Sequence, residues 1–170
     1  MTDGRLRLIL TRHAKSSWDD PAIDDHDRPL NKRGVRQARE LGDWLASRGY
    51  DPEEVLCSTA RRTRETWAGI ESAVLHTRPE VHILPKLYAA EPAMLLGQVQ
   101  RAHMPVVMVI AHNPGIAEFA ASLVATPPVD PEFRRYPTSA TTVIDFFEQS
   151  WASIAAGSGQ LLEFFTPRDE

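Results

Sequence analysis

The chain has 170 residues, of which 42% are hydrophobic and 25% charged, values that suggest neither disorder nor a fibrous repeat and predict one domain over residues 1–170. A formal charge of -4, from 19 basic and 23 acidic residues, gives no electrostatic footprint for nucleic acid or for a membrane surface, so any anion site must be local. The single cysteine, Cys57, excludes an internal disulfide, the apolar stretch in MTDGRLRLIL is too short for a secretory signal, and the longest apolar run, VVMVIA at 106–111, is far below a bilayer span; the expected compartment is a reducing cytoplasm.

In chain order, LRLILT at 6–11 reads as a strand. NKRGVRQARELGDWLASR at 31–48 reads as a helix with Val35, Ala38, Leu41 and Leu45 recurring at helical spacing and Gly49 just past its end. A short strand around Val55–Cys57 precedes a helical stretch from Ala60 to Val74 that carries Thr66, Trp67 and Ile70. VHILP predicts a third strand. Pro92–Ala102 predicts a helix with Leu95, Leu96 and Val99 on one face and Pro92 in its first turn. PVVMVIA has the continuous apolar pattern of a strand buried on both faces, and PGIAEFAASLVA after it is helical with Pro114 near its start. TTVIDFF and QLLEFFT are β-branched and aromatic runs, predicted as late, partly edge strands around a turn marked by Gly157 and Gly159. Strands alternating with helices imply an α/β fold, a three-layer α/β/α sandwich on a mostly parallel sheet. The longest irregular piece, SWDDPAIDDHDRPL at 17–30, reads as a solvated surface loop in preference to a substrate-facing lid.

Ligands of open α/β sheets bind beyond the carboxyl ends of the strands. His13 follows LRLILT and His112 follows VVMVIA, so both imidazoles are expected at one rim of the sheet. The strand ending at Cys57 delivers STARRTRET there too, with Arg61, Arg62 and Arg64 at a helix N-terminus, where the helix dipole disfavours positive charge. An anion resolves that conflict. Guanidinium forks pair bidentately with phosphate oxygens, and a helix start adds backbone donors. Among such donors a neutral His13 can attack phosphorus and carry the phosphoryl group, with His112 as a protonated donor to the equatorial oxygens. Taken singly, either histidine is an ordinary structural residue and Arg61 or Arg64 a solvated helix face; the combination points to phosphate. No cofactor is implied, and no metal: HExxH and CxxC spacings are absent, and Arg12 beside His13 repels a cation there. GxGxxG, Walker and GxSxG signatures are absent as well.

RHAK after the first strand, DRPLNKRG opening the first helix, CSTARRTRET, LYAAEP and AHNPG together resemble the histidine phosphatase superfamily, with its phosphoglycerate-mutase-like fold, and within it the small SixA-type phosphohistidine phosphatase branch. The resemblance runs from about Leu6 to Phe165. It implies that Arg12, His13, Arg62 and His112 form a phosphate-binding quartet, that His13 is transiently phosphorylated, and that the substrate is a phosphohistidine protein or a small phosphoester. A non-catalytic module that recognises a phosphorylated partner is the remaining alternative.

The chain departs from the family pattern in three places. Ala14 stands where a glycine usually follows RH. Asp19 replaces an asparagine that contacts phosphate in mutase-type relatives, and its charge removes it from the expected site. The carboxylate that serves as general acid in mutases has no clear counterpart: Glu91 is the candidate, and a role as a helix N-terminal charge serves it equally well. Imidazole is a much better leaving group than an alkoxide, so a weak acid apparatus suits phosphohistidine.

Overall fold

The computed structural model describes residues 4–74 and 78–167; the ends of the domain predicted over 1–170 lie outside them. Six strands, β1 (Leu6–Arg12), β2 (Glu54–Ser58), β3 (Glu80–Leu84), β4 (Val106–Ala111), β5 (Thr141–Phe146) and β6 (Gln160–Phe165), form one sheet in the order β3-β2-β4-β1-β5-β6. β3, β2, β4 and β1 are mutually parallel, and β5 runs antiparallel to both β1 and β6.

Alternation along the strands splits the core in two. Leu8, Leu10, Leu56, Val107 and Val109 face α3 (Pro92–Val99), α4 (Gly115–Leu123) and α5 (Pro131–Arg135), whereas Ile9, Val55, Cys57, Met108 and Ile110 face α1 (Lys32–Arg48) and α2 (Arg61–Glu71). Each fully buried Leu, Ile or Val contributes about 1.5–3 kcal/mol, which anchors β1 and β4 in the middle of the sheet. The arrangement is the expected three-layer α/β/α sandwich on a mostly parallel sheet. Among the described residues no helix is long and apolar enough to cross a membrane.

Three expectations change in detail. Val35 is 42% exposed; the buried stripe of α1 runs through Gly34, Gln37, Ala38, Leu41 and Leu45. The reason is a close approach, since a Cβ at Gly34 would stand 2.0 Å from the carbonyl oxygen of Lys15, so the backbone of α1 packs directly on the segment that follows β1. β5 is no edge strand: every residue of it is buried between β1 and β6. A bidentate ion pair from Arg7 satisfies its one carboxylate, Asp145 (2.8 and 3.0 Å). Finally, α5 arises where periodicity gave no signal, from Asp130, whose side chain accepts from the N–H of Glu132, and Pro131 in the first turn.

Candidate active site

The carboxyl ends of β1, β2 and β4 bring His13, Arg62 and His112 together, as the two crossovers require: β4 lies between β1 and β2, so the segments leaving all three strands meet at one rim. Each of the three side chains is 6% exposed, and the imidazole centroids of His13 and His112 are 5.4 Å apart.

His13 leaves β1 with its backbone N–H donating to Ala111 (3.2 Å). Its Nδ1 lies 2.7 Å from the carbonyl oxygen of Ala14. A carbonyl only accepts, so Nδ1 carries the proton and Nε2 keeps its lone pair. That Nε2 accepts from Nε of Arg62 at 3.4 Å. Burial pushes the His13 pKa well below the ordinary imidazole value, with His112, Arg12 and Arg62 adding to the effect and the Ala14 carbonyl opposing it. His13 is therefore a neutral imidazole with an available lone pair. Ala14, in place of glycine, is fully buried, and its N–H donates to Thr66 Oγ1 (2.9 Å), a hydroxyl that itself donates to the Arg62 carbonyl (2.7 Å). One threonine of α2 thus ties the His13 segment to the Arg62 segment.

Arg62 spans four groups. Besides His13, its Nη1 donates to the Asp25 carbonyl (2.7 Å), and its Nη2 to Asp25 Oδ2 (3.1 Å) and to His112 Nδ1 (3.4 Å). Because arginine has no acceptor, His112 carries its proton on Nε2, which donates to Ser58 Oγ at 2.8 Å. Burial first, and the Arg62 charge second, lower the His112 pKa to about 4. The expectation of a protonated His112 is thereby corrected: an imidazole that accepts from a guanidinium at Nδ1 in a buried site is neutral, with its Nε2–H committed to Ser58. Arg12 donates from Nη1 to the Tyr136 carbonyl (3.1 Å), while its Nε is buried without a hydrogen-bond partner among the described residues, an uncompensated donor that suits an anion.

The neighbouring cations point elsewhere. Arg61 pairs with Glu65 one turn along α2 (2.8 Å), and Arg64 donates to the Thr59 carbonyl (3.0 Å). Asp19 is exposed, and its backbone N–H donates to Ser17 Oγ (3.1 Å). Glu91 is exposed at the N-cap of α3, with no hydrogen bond from its side chain to the helix.

Two site residues escaped the sequence reading. Asp25 belongs to the 17–30 segment, which was expected to be solvated; a short helical turn over Asp25–Asp27 instead directs it onto Arg62. Arg28 Nη1, bonded to Ser16 Oγ (2.7 Å), pins that turn. Tyr88, within LYAAEP, donates its hydroxyl to Asp25 Oδ2 and sets its ring edge-on to His112 at 5.4 Å. That hydrogen bond and Arg62 hold the Asp25 pKa at about 2, so Asp25 is a fixed anion that offsets the guanidinium. The available signal was the placement of RPL and LYAAEP beside two phosphate-type segments. Chemically, a neutral imidazole nitrogen with a lone pair, two guanidinium groups and a second imidazole converge with the carboxylate of Asp25, an arrangement that can bind a phosphoryl group and accept it onto nitrogen.

The sequence profile of the histidine phosphatase superfamily (branch 1) matches residues 8–88. An uncharacterized chloroplastic protein of Arabidopsis thaliana is 33% identical over 163 residues, covering 90% of this chain and 72% of that one. The phosphohistidine phosphatase SixA of Escherichia coli is 26% identical over 130 residues, 73% of this chain and 79% of that one. Among solved structures, a protein assigned as phosphohistidine phosphatase SixA from Nakamurella multipartitia superposes with a TM-score of 0.82 at 29% identity, over 98% of this chain and 99% of that one.

Proposed function

The chain belongs to the histidine phosphatase superfamily and is an enzyme of that class, and we propose that it removes phosphoryl groups from phosphohistidine side chains of proteins through transient phosphorylation of its own His13. The observation that carries this reading is the Nδ1 contact of His13 to the Ala14 carbonyl (2.7 Å), which leaves the Nε2 lone pair facing Arg62. In the first step the phosphoryl oxygens accept from the guanidinium groups of Arg12 and Arg62 and from His112 Nδ1, which takes up a proton from solvent as the bound anion raises its pKa. A P–N bond forms to His13 Nε2 as the P–N bond to the substrate imidazole breaks, and the departing ring takes a proton from solvent. In the second, water attacks phosphorus, the bond to Nε2 breaks, and inorganic phosphate leaves with the proton balance returned to solvent.

The acid inventory supports the substrate class. Asp25 is held ionised with a pKa of about 2, and Glu91 is an exposed helix cap, so neither matches the protonated carboxylic acid that an alkoxide leaving group needs, whereas imidazole departs without one. The similarity to proteins described as SixA phosphohistidine phosphatases points the same way.

Rapid mixing with a phosphohistidine peptide carrying labelled phosphate, followed by an alkaline quench, tests the proposal. Wild type is expected to carry acid-labile label on His13, and His13→Asn to carry none and to lose turnover. Turnover retained in His13→Asn would overturn the covalent route; binding without turnover in wild type would make the protein a recognition module.

A further inference from the structure

At the end of the sheet opposite His13, a second cluster of ligating side chains stands apart from the proposed reaction. Glu54 is the first residue of β2 and Glu80 the first of β3, and the two are register partners on adjacent parallel strands. His82 projects from the same face of β3, two residues beyond Glu80. Like charges directly opposite one another are destabilising, and here one of the two carboxylates is almost wholly out of water: the Glu54 side chain is 3% exposed.

Glu54 is also fixed in orientation. Its Oε1 accepts from the backbone N–H groups of His103 and Met104, both at 3.0 Å, which turns Oε2 outward, 3.4 Å from Nε2 of His82. Glu80 Oε2 lies 3.6 Å from the same nitrogen. One ligand atom from each of Glu54, Glu80 and His82 falls within a 4.8 Å group. Oxygen and nitrogen ligands about 2.0–2.2 Å from a tetrahedral Zn2+ stand roughly 3.3–3.6 Å from one another, the spacing of His82 Nε2 from each carboxylate oxygen. His103 braces the group, with Nδ1 3.5 Å from Glu54 and Nε2 2.9 Å from Glu80, the kind of outer contact that orients metal-binding carboxylates. Glu54, His82 and His103 line an open cavity of about 490 Å³ whose wall also carries Lys86 and Arg101.

We propose that Glu54, Glu80 and His82 form a Zn2+ site, with His103 as a positioning residue on Glu80. A divalent cation offsets both facing carboxylates at once, and mixed imidazole and carboxylate donors suit zinc. The site joins the edge strand β3 to β2 at the amino ends of the strands, remote from the phosphate chemistry, so its role is to stabilise the fold. Two ligands come from different strands, which is why no local spacing motif announces it.

Titration calorimetry of the full chain with Zn2+ alone tests this. Wild type is expected to bind one equivalent at this site and to melt at higher temperature with zinc. His82→Ala and Glu80→Gln, both at exposed side chains, are expected to fold normally and to weaken that binding at least about tenfold, with the zinc-dependent rise in melting temperature lost. The double variant His13→Ala/His112→Ala is expected to keep it. Absence of binding, an affinity unchanged in both His82→Ala and Glu80→Gln, or binding lost only with the His13 and His112 pair would each overturn the site. None of these outcomes bears on the phosphatase reading.

Discussion

Asp25 grips the guanidinium of Arg62 twice, through its own backbone carbonyl at 2.7 Å from Nη1 and through Oδ2 at 3.1 Å from Nη2. The same guanidinium reaches His13 Nε2 and His112 Nδ1, so the aspartate sets the plane in which the arginine meets both imidazoles. Asp25→Ala removes the carboxylate and its Tyr88 partner while leaving the backbone contact. We expect kcat/KM on a phosphohistidine peptide to fall about tenfold, equivalent to about 1.4 kcal/mol, with an unchanged melting temperature because the side chain is half exposed. An unchanged kcat/KM would mean that the backbone carbonyl alone orients Arg62.

Arg62 should separate sharply from its neighbours on α2. Arg62→Ala deletes a buried donor shared among four groups, and the loss of a preorganised charge donor corresponds to about 3 kcal/mol of transition-state stabilisation. Arg61, paired with Glu65, and Arg64, capped onto Thr59, face away, and their alanine variants should change kcat/KM by little. Equal losses in all three would show a diffuse basic patch in place of a defined site.

Stability should fall on the acid side through the two buried imidazoles. In the folded chain the His112 pKa is near 4 and that of His13 lies well below the ordinary value, whereas in the unfolded chain both titrate near 6.5. Between these limits the unfolded state binds more protons. The stability that neutral burial preserves is thus fully present above about pH 7 and is lost as pH falls from about 6.5 toward 4, by about 3 kcal/mol for His112. Urea melts of wild type and His112→Asn across that range measure it: the variant should show a shallower decline, and parallel declines would refute the assignment.

Glu91 should matter little when the leaving group is good. Rates of Glu91→Gln on phosphohistidine peptides and aryl phosphates are expected to match wild type, and both enzymes should hydrolyse alkyl phosphates of similar size much more slowly. Plotting kcat/KM against leaving-group pKa is the measurement. A flat dependence, with a loss in Glu91→Gln confined to alkyl substrates, would identify Glu91 as a general acid and the protein as a phosphomonoesterase.

Much of the architecture was legible because it rests on local pattern. LRLILT and VVMVIA are apolar runs that stay buried wherever the sheet puts them, and RHAK and AHNPG lie directly after them, so the meeting of His13 and His112 followed from the carboxyl-end rule alone. Arg62 required more: periodicity could not tell it from Arg61 or Arg64, and the resemblance to a known family singled it out. The protonation of His112 was misjudged, since the charge of an imidazole depends on burial and on which neighbour donates to it, here Arg62.

What the sequence by itself determined is the alternation of strands and helices, the two-sided burial of β4, and the rim to which the histidines are delivered, all consequences of residue-by-residue hydrophobic periodicity. Only the tertiary structure decided which further polar groups join them or meet elsewhere. Asp25 sits in a segment whose composition is that of a solvated loop, yet the turn pinned by Arg28 carries it to Arg62. Glu54 and Glu80 begin different strands and become neighbours only through the register of β2 on β3. In both cases the physical reason is the same: hydrogen bonds and charge interactions act over a few ångströms in space, and that proximity is set by how distant segments pack.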